Sequence, residues 1–136
     1  MKAIDTQTRR VGVVGLGRMG MPMCARLVGA GFVVVAFDQR GELRTAACEL
    51  GAGWAASAGV AAEEVDVLIT MLPGPDEVSE VILDVAERLR PGSTWIDMST
   101  ASPAVAQAIA AVASLAAFDR LTLRWVAVPT PLGMGA

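Results

Sequence analysis

Three glycines and one acid carry the first chemical suggestion in this chain. Gly15, Gly17 and Gly20 stand at the first, third and sixth places of Gly15-Leu16-Gly17-Arg18-Met19-Gly20, directly after the apolar run Val11 to Val14. At a strand-to-helix turn, glycines at that spacing have separate steric uses. Gly15 lets the strand turn tightly, Gly17 lets the backbone approach a pyrophosphate, and Gly20 lets helix pack against strand. The pyrophosphate would rest on N–H groups at the helix start, where the macrodipole also favours negative charge. Asp38 closes a second apolar run, Phe32 to Phe37, about twenty residues past the glycines, where a carboxylate accepts hydrogen bonds from ribose hydroxyls. The expected ligand is a dinucleotide.

The residues for proton chemistry are missing. Taking a proton from an alcohol near neutral pH is work usually given to His, Lys or Tyr. The chain has no histidine and no tyrosine, and its single lysine is Lys2. No acid stands in a motif that suggests a raised pKa, so no catalytic residue is assigned. Cys24 and Cys48 lack metal-ligand or redox-pair spacing and read as buried, reduced thiols of a cytosolic protein. No metal site is expected.

The elements that must position the glycines and the acid follow from hydrophobic period and punctuation. Pro22 falls in a first helical turn, Met23, Leu27, Val28 and Ala30 give an apolar stripe, and Gly31 stops the helix. Gln39-Arg40-Gly41 makes a turn, Glu42 to Leu50 a short helix, and Gly51 and Gly53 break it. Trp54 is placed on a short third strand with a packing role, and Ala61 to Val65 makes at most a turn of helix. Asp66 to Met71 reads as a strand covered on both faces. Asp76 then reads as the N-cap of a helix running to about Arg90, with Val78, Val81, Ile82, Val85 and Leu89 inward. Thr94 to Asp97 is the next strand, Ser102-Pro103 opens a helix to about Ala117, and Leu121 to Val128 gives a sixth strand. Strand and helix alternate throughout. The fold class is therefore α/β, a Rossmann-type doubly wound parallel sheet with helices on both faces. Residues 11–128 form that domain, after a flexible segment 1–10 and before a loop 129–136.

Composition narrows the partners. The 136 residues suit one domain with a proper core. A net charge of −3 with scattered basic residues speaks against nucleic acid. The weakly polar stretch Ala104 to Phe118 is too short to span a bilayer, and the first ten residues lack the apolar core of a secretory signal. The hydrophobic fraction of 54% and mean hydropathy of +0.52 are high for a domain alone in water. The surplus apolar surface is expected to meet a second domain or another copy of the chain.

Three ordered motifs add a resemblance. Gly15-Leu16-Gly17-Arg18-Met19-Gly20-Met21-Pro22-Met23, Met71-Leu72-Pro73, and Asp97-Met98-Ser99-Thr100-Ala101-Ser102-Pro103 together resemble the β-hydroxyacid dehydrogenases, a family that includes 3-hydroxyisobutyrate dehydrogenase and relatives of 6-phosphogluconate dehydrogenase. The resemblance implies that the first loop, with Leu16, Arg18 and Met19, holds the pyrophosphate. It also implies that Met71, Leu72 and Pro73 lie along the cofactor and that Thr100 or Ser99 reaches the nicotinamide side. Helix capping is the alternative role for that last pair.

The family's next signature, Asp-Ala-Pro-Val-Ser-Gly-Gly, is only partly kept, as Ala127-Val128-Pro129-Thr130-Pro131-Leu132-Gly133. Thr130 and Gly133 are the residues left to meet a substrate carboxylate, and Pro131 has no N–H to offer it. Imine reductases, which share the domain and vary at this place, are therefore an alternative. So is a free-standing module that binds or senses the cofactor. The family's catalytic lysine lies on a helical second domain with no counterpart here. The chain is thus expected to be the cofactor half of an oxidoreductase, truncated and inactive alone, meeting a small hydroxy acid only if that domain is supplied. Asp38, with Gln39 and Arg40 beside it, favours NAD, because an acid on the ribose repels the extra phosphate of NADP; Arg40 is the residue that would instead receive that phosphate.

Overall fold

A computed structural model describes residues 9–72, 75–90 and 92–98, together with Gln107, Ala111 and the pair 122–123. Strands β1 (Arg10–Val14), β2 (Val33–Phe37), β3 (Gly53–Trp54), β4 (Val67–Thr70), β5 (Thr94–Asp97) and β6 (Thr122–Leu123) form one sheet in the order β3-β2-β1-β4-β5-β6. Every pairing is parallel, with Val13 opposite Ala36 on one side and Ile69 on the other. The order reverses between β1 and β4. At such a switch point the loops leaving adjacent strands diverge and open a crevice at the strands' carboxyl ends.

Helices α1 (Gly20–Gly29), α2 (Arg44–Glu49), α3 (Ala58–Glu63) and α4 (Pro75–Arg88) fill both faces. The strands show why. Val11 and Val13 of β1 pack with Ile69 of β4 and Cys24 of α1, whereas Val14 and Leu68 pack with Val65 and with Ile82 and Val85 of α4. Side chains alternate along a strand, so a run apolar at successive positions needs cover on both sides. Gly12 belongs to this packing: a Cβ there would lie 2.9 Å from the Ala61 carbonyl oxygen. The alanine face of α3 sits directly beneath β1.

Helix α1 ends as its punctuation suggests. Gly31 adopts φ +97°, and the N–H groups of Gly31 and Phe32 return to the carbonyls of Val28 and Leu27. This closes the last turn with a glycine in the left-handed region. Several expectations need correction. The segment expected as one helix from Glu42 divides into a 3₁₀ turn, Gly41–Leu43, and α2; Gly51 ends α2, but Gly53 opens β3 instead of breaking a helix. Helix α3 starts at Ala58, ahead of the expected single turn, because Ser57 Oγ accepts the Val60 N–H and caps it. Helix α4 starts at Pro75, so Asp76 lies inside its first turn and does not cap it. Proline suits a first helical position, and Asp76 and Glu77 then complement the macrodipole. Cys24 is buried, but Cys48 is exposed on α2, contrary to the reading of two buried thiols. Trp54 does pack: its ring lies 6.2 Å from that of Phe37. Gln107 and Ala111 are helical, within the span expected from Pro103 to Ala117. The rest of that span, and residues 124–128 of the sixth run, lie outside the described residues.

Candidate functional site

The carboxyl ends of β1, β2, β4 and β5 meet at a cleft of about 620 Å³. Backbone bonds lock its floor. Gly15 N–H donates to Phe37 O at 2.9 Å, Met71 N–H to Val14 O at 2.8 Å, and Met98 N–H to Thr70 O at 2.8 Å. Each loop is thus tied to the neighbouring strand as it departs.

The three glycines of the first loop differ in what requires them. Gly15 sits at φ +102°, and a Cβ on it would collide with the Met71 carbonyl. A Cβ on Gly20 would collide with the carbonyl oxygen of Gly15. Those two are demanded by the protein's own packing. Gly17 is not: its φ lies outside the left-handed region, and the nearest atom to an added Cβ is Arg40 Nη2, at 4.0 Å. Its missing side chain leaves space open toward the cleft. Helix α1 begins just beyond, with no side chain capping its start and no acid in its first turn. A helix start that the chain leaves uncapped suits an anion from outside. The donor set therefore fits a dinucleotide pyrophosphate.

Asp38 stands at the end of β2 with its side chain only 10% exposed. Its Oδ2 accepts the Leu16 N–H at 2.8 Å and its Oδ1 the Arg40 N–H at 2.8 Å. The Arg40 side chain adds Nε to Oδ1 at 3.1 Å and Nη2 to Oδ2 at 3.3 Å. Burial pushes the carboxyl's pKa up. The hydrogen bonds from the Arg40 side chain and from the Leu16 and Arg40 N–H groups, with the guanidinium charge, outweigh burial and hold it below its ordinary 3.8.

Gly15, Gly17, Arg18, Met19, Gly20, Asp38, Gln39, Arg40, Met71 and Leu72, singled out from the sequence, all line this one cleft. Leu16 does not: its side chain is buried in the core, and its contribution is the N–H given to Asp38. Pro73, Ser99, Thr100, Thr130 and Gly133 lie outside the described residues. Five lining residues were not singled out for the site: Val14, Phe37, Glu77, Val81 and Met98. Phe37 and Met98 are the neighbours of residues already marked, since each ends or follows a strand whose carboxyl end faces the crevice. Glu77 and Val81 come from α4, and nothing local in the sequence says which turn of α4 overhangs the cleft. Gln39 Nε2 reaches the same helix, donating to Glu80 Oε2 at 3.1 Å.

Beneath the cleft lies a buried polar group that the sequence reading did not contain. Trp95 Nε1 donates to Thr70 Oγ1 at 3.0 Å, and Thr70 Oγ1 donates to Asp97 Oδ1 at 2.8 Å. Thr70 and Asp97 stand opposite each other in the β4–β5 register. The hydroxyl accepts from one side and donates to the other, which fixes its rotor and braces the ends of both strands.

Fold order, cleft position and the glycine-acid pair define a Rossmann-type dinucleotide-binding domain. Residues 10–126 match the family described as the NAD binding domain of 6-phosphogluconate dehydrogenase, and the chain belongs to that family. Among curated relatives, a probable 3-hydroxyisobutyrate dehydrogenase of Mycobacterium tuberculosis is 42% identical over 103 residues, covering 76% of this chain and 35% of that protein. An NAD-dependent L-serine dehydrogenase of Pseudomonas aeruginosa is 33% identical over 108 residues, covering 77% and 36%. The solved structure of the M. tuberculosis 3-hydroxyisobutyrate dehydrogenase with L-serine superposes with a TM-score of 0.78 at 37% identity, over 90% of this chain and 41% of that one. An imine reductase from Pseudomonas sp. shares the fold, with a TM-score of 0.73 at 24% identity, over 85% and 39%. The chain is an NAD-binding domain resembling those of the 3-hydroxyisobutyrate dehydrogenases, and its matches span about a third of the length of these curated relatives. Among the described residues, no helix is long and apolar enough to cross a membrane.

Proposed function

We propose that residues 11–128 are the cofactor-binding unit of an NAD-dependent oxidoreductase acting on a small hydroxy acid, with the proton acceptor supplied by a further helical domain. The observation that carries this reading is Gly17, a glycine that the protein's own packing does not need, at the mouth of an uncapped helix and beside a part-buried carboxylate placed for a ribose. In this reading the loop from Gly15 to Gly20, with Arg18 and Met19, holds the pyrophosphate. Asp38 takes the adenosine ribose, with Gln39 and Arg40 beside it. Met71, Leu72 and Pro73 run along the cofactor, Ser99 or Thr100 meets the nicotinamide side, and Thr130 and Gly133 face the substrate carboxylate. Bound NAD supplies the hydride acceptor; the residues of this chain orient it.

The relatives named for 3-hydroxyisobutyrate and L-serine support a hydroxy acid as substrate. The lack of histidine and tyrosine supports a base from elsewhere. Two free cysteines support a reducing compartment, the cytosol. Exposed Leu83 and Val33 support a surface covered by that further domain or by a second copy. Calorimetric titration of the 136-residue chain with NAD, followed by an assay with 3-hydroxyisobutyrate and L-serine, tests the reading. Saturable binding without reduced cofactor is expected. A folded chain that binds no NAD overturns the site, and turnover by the chain alone overturns the assignment of the base.

A further inference from the structure

The cleft has two walls of different origin. The glycine loop follows β1 and Asp38 follows β2, whereas Met71 and Leu72 follow β4 and Met98 follows β5. With a pyrophosphate at Gly17 and the adenosine ribose at Asp38, a dinucleotide must extend its other half the opposite way, over the ends of β4 and β5. That half meets Met71, Leu72 and Met98, so its fit depends on how these residues are held.

One residue ties the two strand ends together. Thr70 O accepts the Met98 N–H at 2.8 Å, and Thr70 Oγ1 donates to Asp97 Oδ1 at 2.8 Å. The same hydroxyl accepts from Trp95 Nε1 at 3.0 Å. Thr70, Trp95 and Asp97 are all buried, so water does not compete for these bonds and each is stronger than at the surface. A β-branched side chain is stiff at χ1, and a hydroxyl that accepts on one side and donates on the other has its hydrogen fixed. Valine would fill nearly the same volume; what it lacks is the link.

From this geometry we infer that Thr70 is a positioning residue for the nicotinamide half of the cofactor: buried beneath the cleft, it bonds the consecutive residues Asp97 and Met98 and so fixes the Met98 wall against the Met71-Leu72 wall. The other half of the cleft is held by bonds of its own, Gly15 N–H to Phe37 O and Leu16 N–H to Asp38 Oδ2. Contacts to the adenosine end are therefore independent of the Thr70 hydroxyl.

The inference rests on the dinucleotide reading, and two probes separate them. ADP carries the adenosine ribose and two phosphates; NADH adds the second ribose and the nicotinamide, whose emission rises when the ring is held out of water. The 136-residue chain, Thr70→Val and Thr70→Ser are titrated with each by calorimetry, with nicotinamide emission recorded and folding checked by circular dichroism. The parent is expected to bind NADH more tightly than ADP and to enhance its emission. Thr70→Val should weaken NADH by about tenfold or more, the scale of one hydrogen bond misplaced at the ligand, while ADP stays within about twofold. The emission gain should fall with it. Thr70→Ser, which keeps the hydroxyl, should restore most of the NADH affinity. A role in stability alone would weaken both nucleotides together. Should Thr70→Val not fold, Thr70→Ala, which leaves room for a water between the indole and the carboxylate, should show the same selective loss. NADH and ADP weakened alike, or NADH unchanged, overturns the role of Thr70, as does a parent that binds the two equally. A folded parent that binds neither overturns the dinucleotide reading, and this inference with it.

Discussion

Alanine in place of Gly17 and of Gly20 separates a glycine kept for a ligand from one kept for the fold. At Gly20 the new methyl enters the space of the Gly15 carbonyl oxygen. That carbonyl cannot retreat freely, because the Gly15 N–H is bonded to Phe37 O at 2.9 Å and the Gly15 backbone abuts Met71. Overpacking of this kind costs about 1–3 kcal/mol. At Gly17 the methyl meets only Arg40 Nη2, at 4.0 Å, and the backbone needs no left-handed φ. There the folded state is not strained and the unfolded chain loses freedom, so stability should hold or rise by about 0.4–1 kcal/mol. Binding should behave the opposite way. N–H donors reach an anion's oxygens at about 2.7–2.9 Å, and a methyl on the loop holds the pyrophosphate beyond that distance. Losing one charge-assisted bond at about 1.5–3 kcal/mol weakens NAD by roughly 10- to 150-fold. Urea unfolding followed by tryptophan emission gives the stabilities, and calorimetry gives the affinities. Should Gly17→Ala lose as much stability as Gly20→Ala, or bind NAD as the parent does, the division between the two glycines is wrong.

Two further predictions concern titratable groups. The Asp38 carboxyl is held below 3.8 in the folded chain, so the unfolded chain binds its proton first as pH falls. The stability this carboxylate contributes is therefore present above the unfolded value and lost as pH drops through the folded one. Unfolding free energies measured from about pH 6 down to about pH 2.5 should show a shallower acid decline for Asp38→Asn than for the parent; parallel curves would refute the coupling. Burial pushes the Cys24 thiol up to about 11, whereas Cys48 is exposed. Iodoacetamide near pH 8 should thus modify Cys48 in the folded chain and reach Cys24 only after unfolding, as read by mass spectrometry of peptides; early labelling of Cys24 would show that α1 opens readily.

What the sequence disclosed about the fold was local. The runs ending at Val14, Phe37 and Thr70 are apolar at successive positions, which marks strands covered on both faces, and the glycine loop sits where one such run stops. Helix α3 escaped because its buried face is Ala58, Gly59, Ala61 and Ala62, side chains too small to write a visible hydrophobic stripe. The backbone of α3 comes close to β1 at Gly12, where a Cβ would lie 2.9 Å from the Ala61 carbonyl oxygen. The start of α4 was misplaced by two residues because Asp76 has the chemistry of a cap, while Pro75 has the backbone for the first turn, and the backbone decides.

The site was legible as a list of residues and not as a set of bonds. Asp38 could be marked from its distance along the chain to the glycines, but its partners arise from two different kinds of proximity. Arg40 is near in sequence; Leu16 is brought in only by β1 pairing with β2, which sets the Gly15 loop against the end of the second strand. Thr70, Trp95 and Asp97 were each counted as parts of strands. They become one hydrogen-bonded group only through the β4–β5 register, which places Thr70 opposite Asp97. A buried carboxylate and a buried indole N–H would each cost stability without a partner, and one threonine hydroxyl answers both. Polar groups sealed beneath the carboxyl ends of strands are thus what parallel pairing makes affordable. The same pairing holds Met71 and Met98 at the cleft wall, because both loops leave strands whose last residues are bonded to each other.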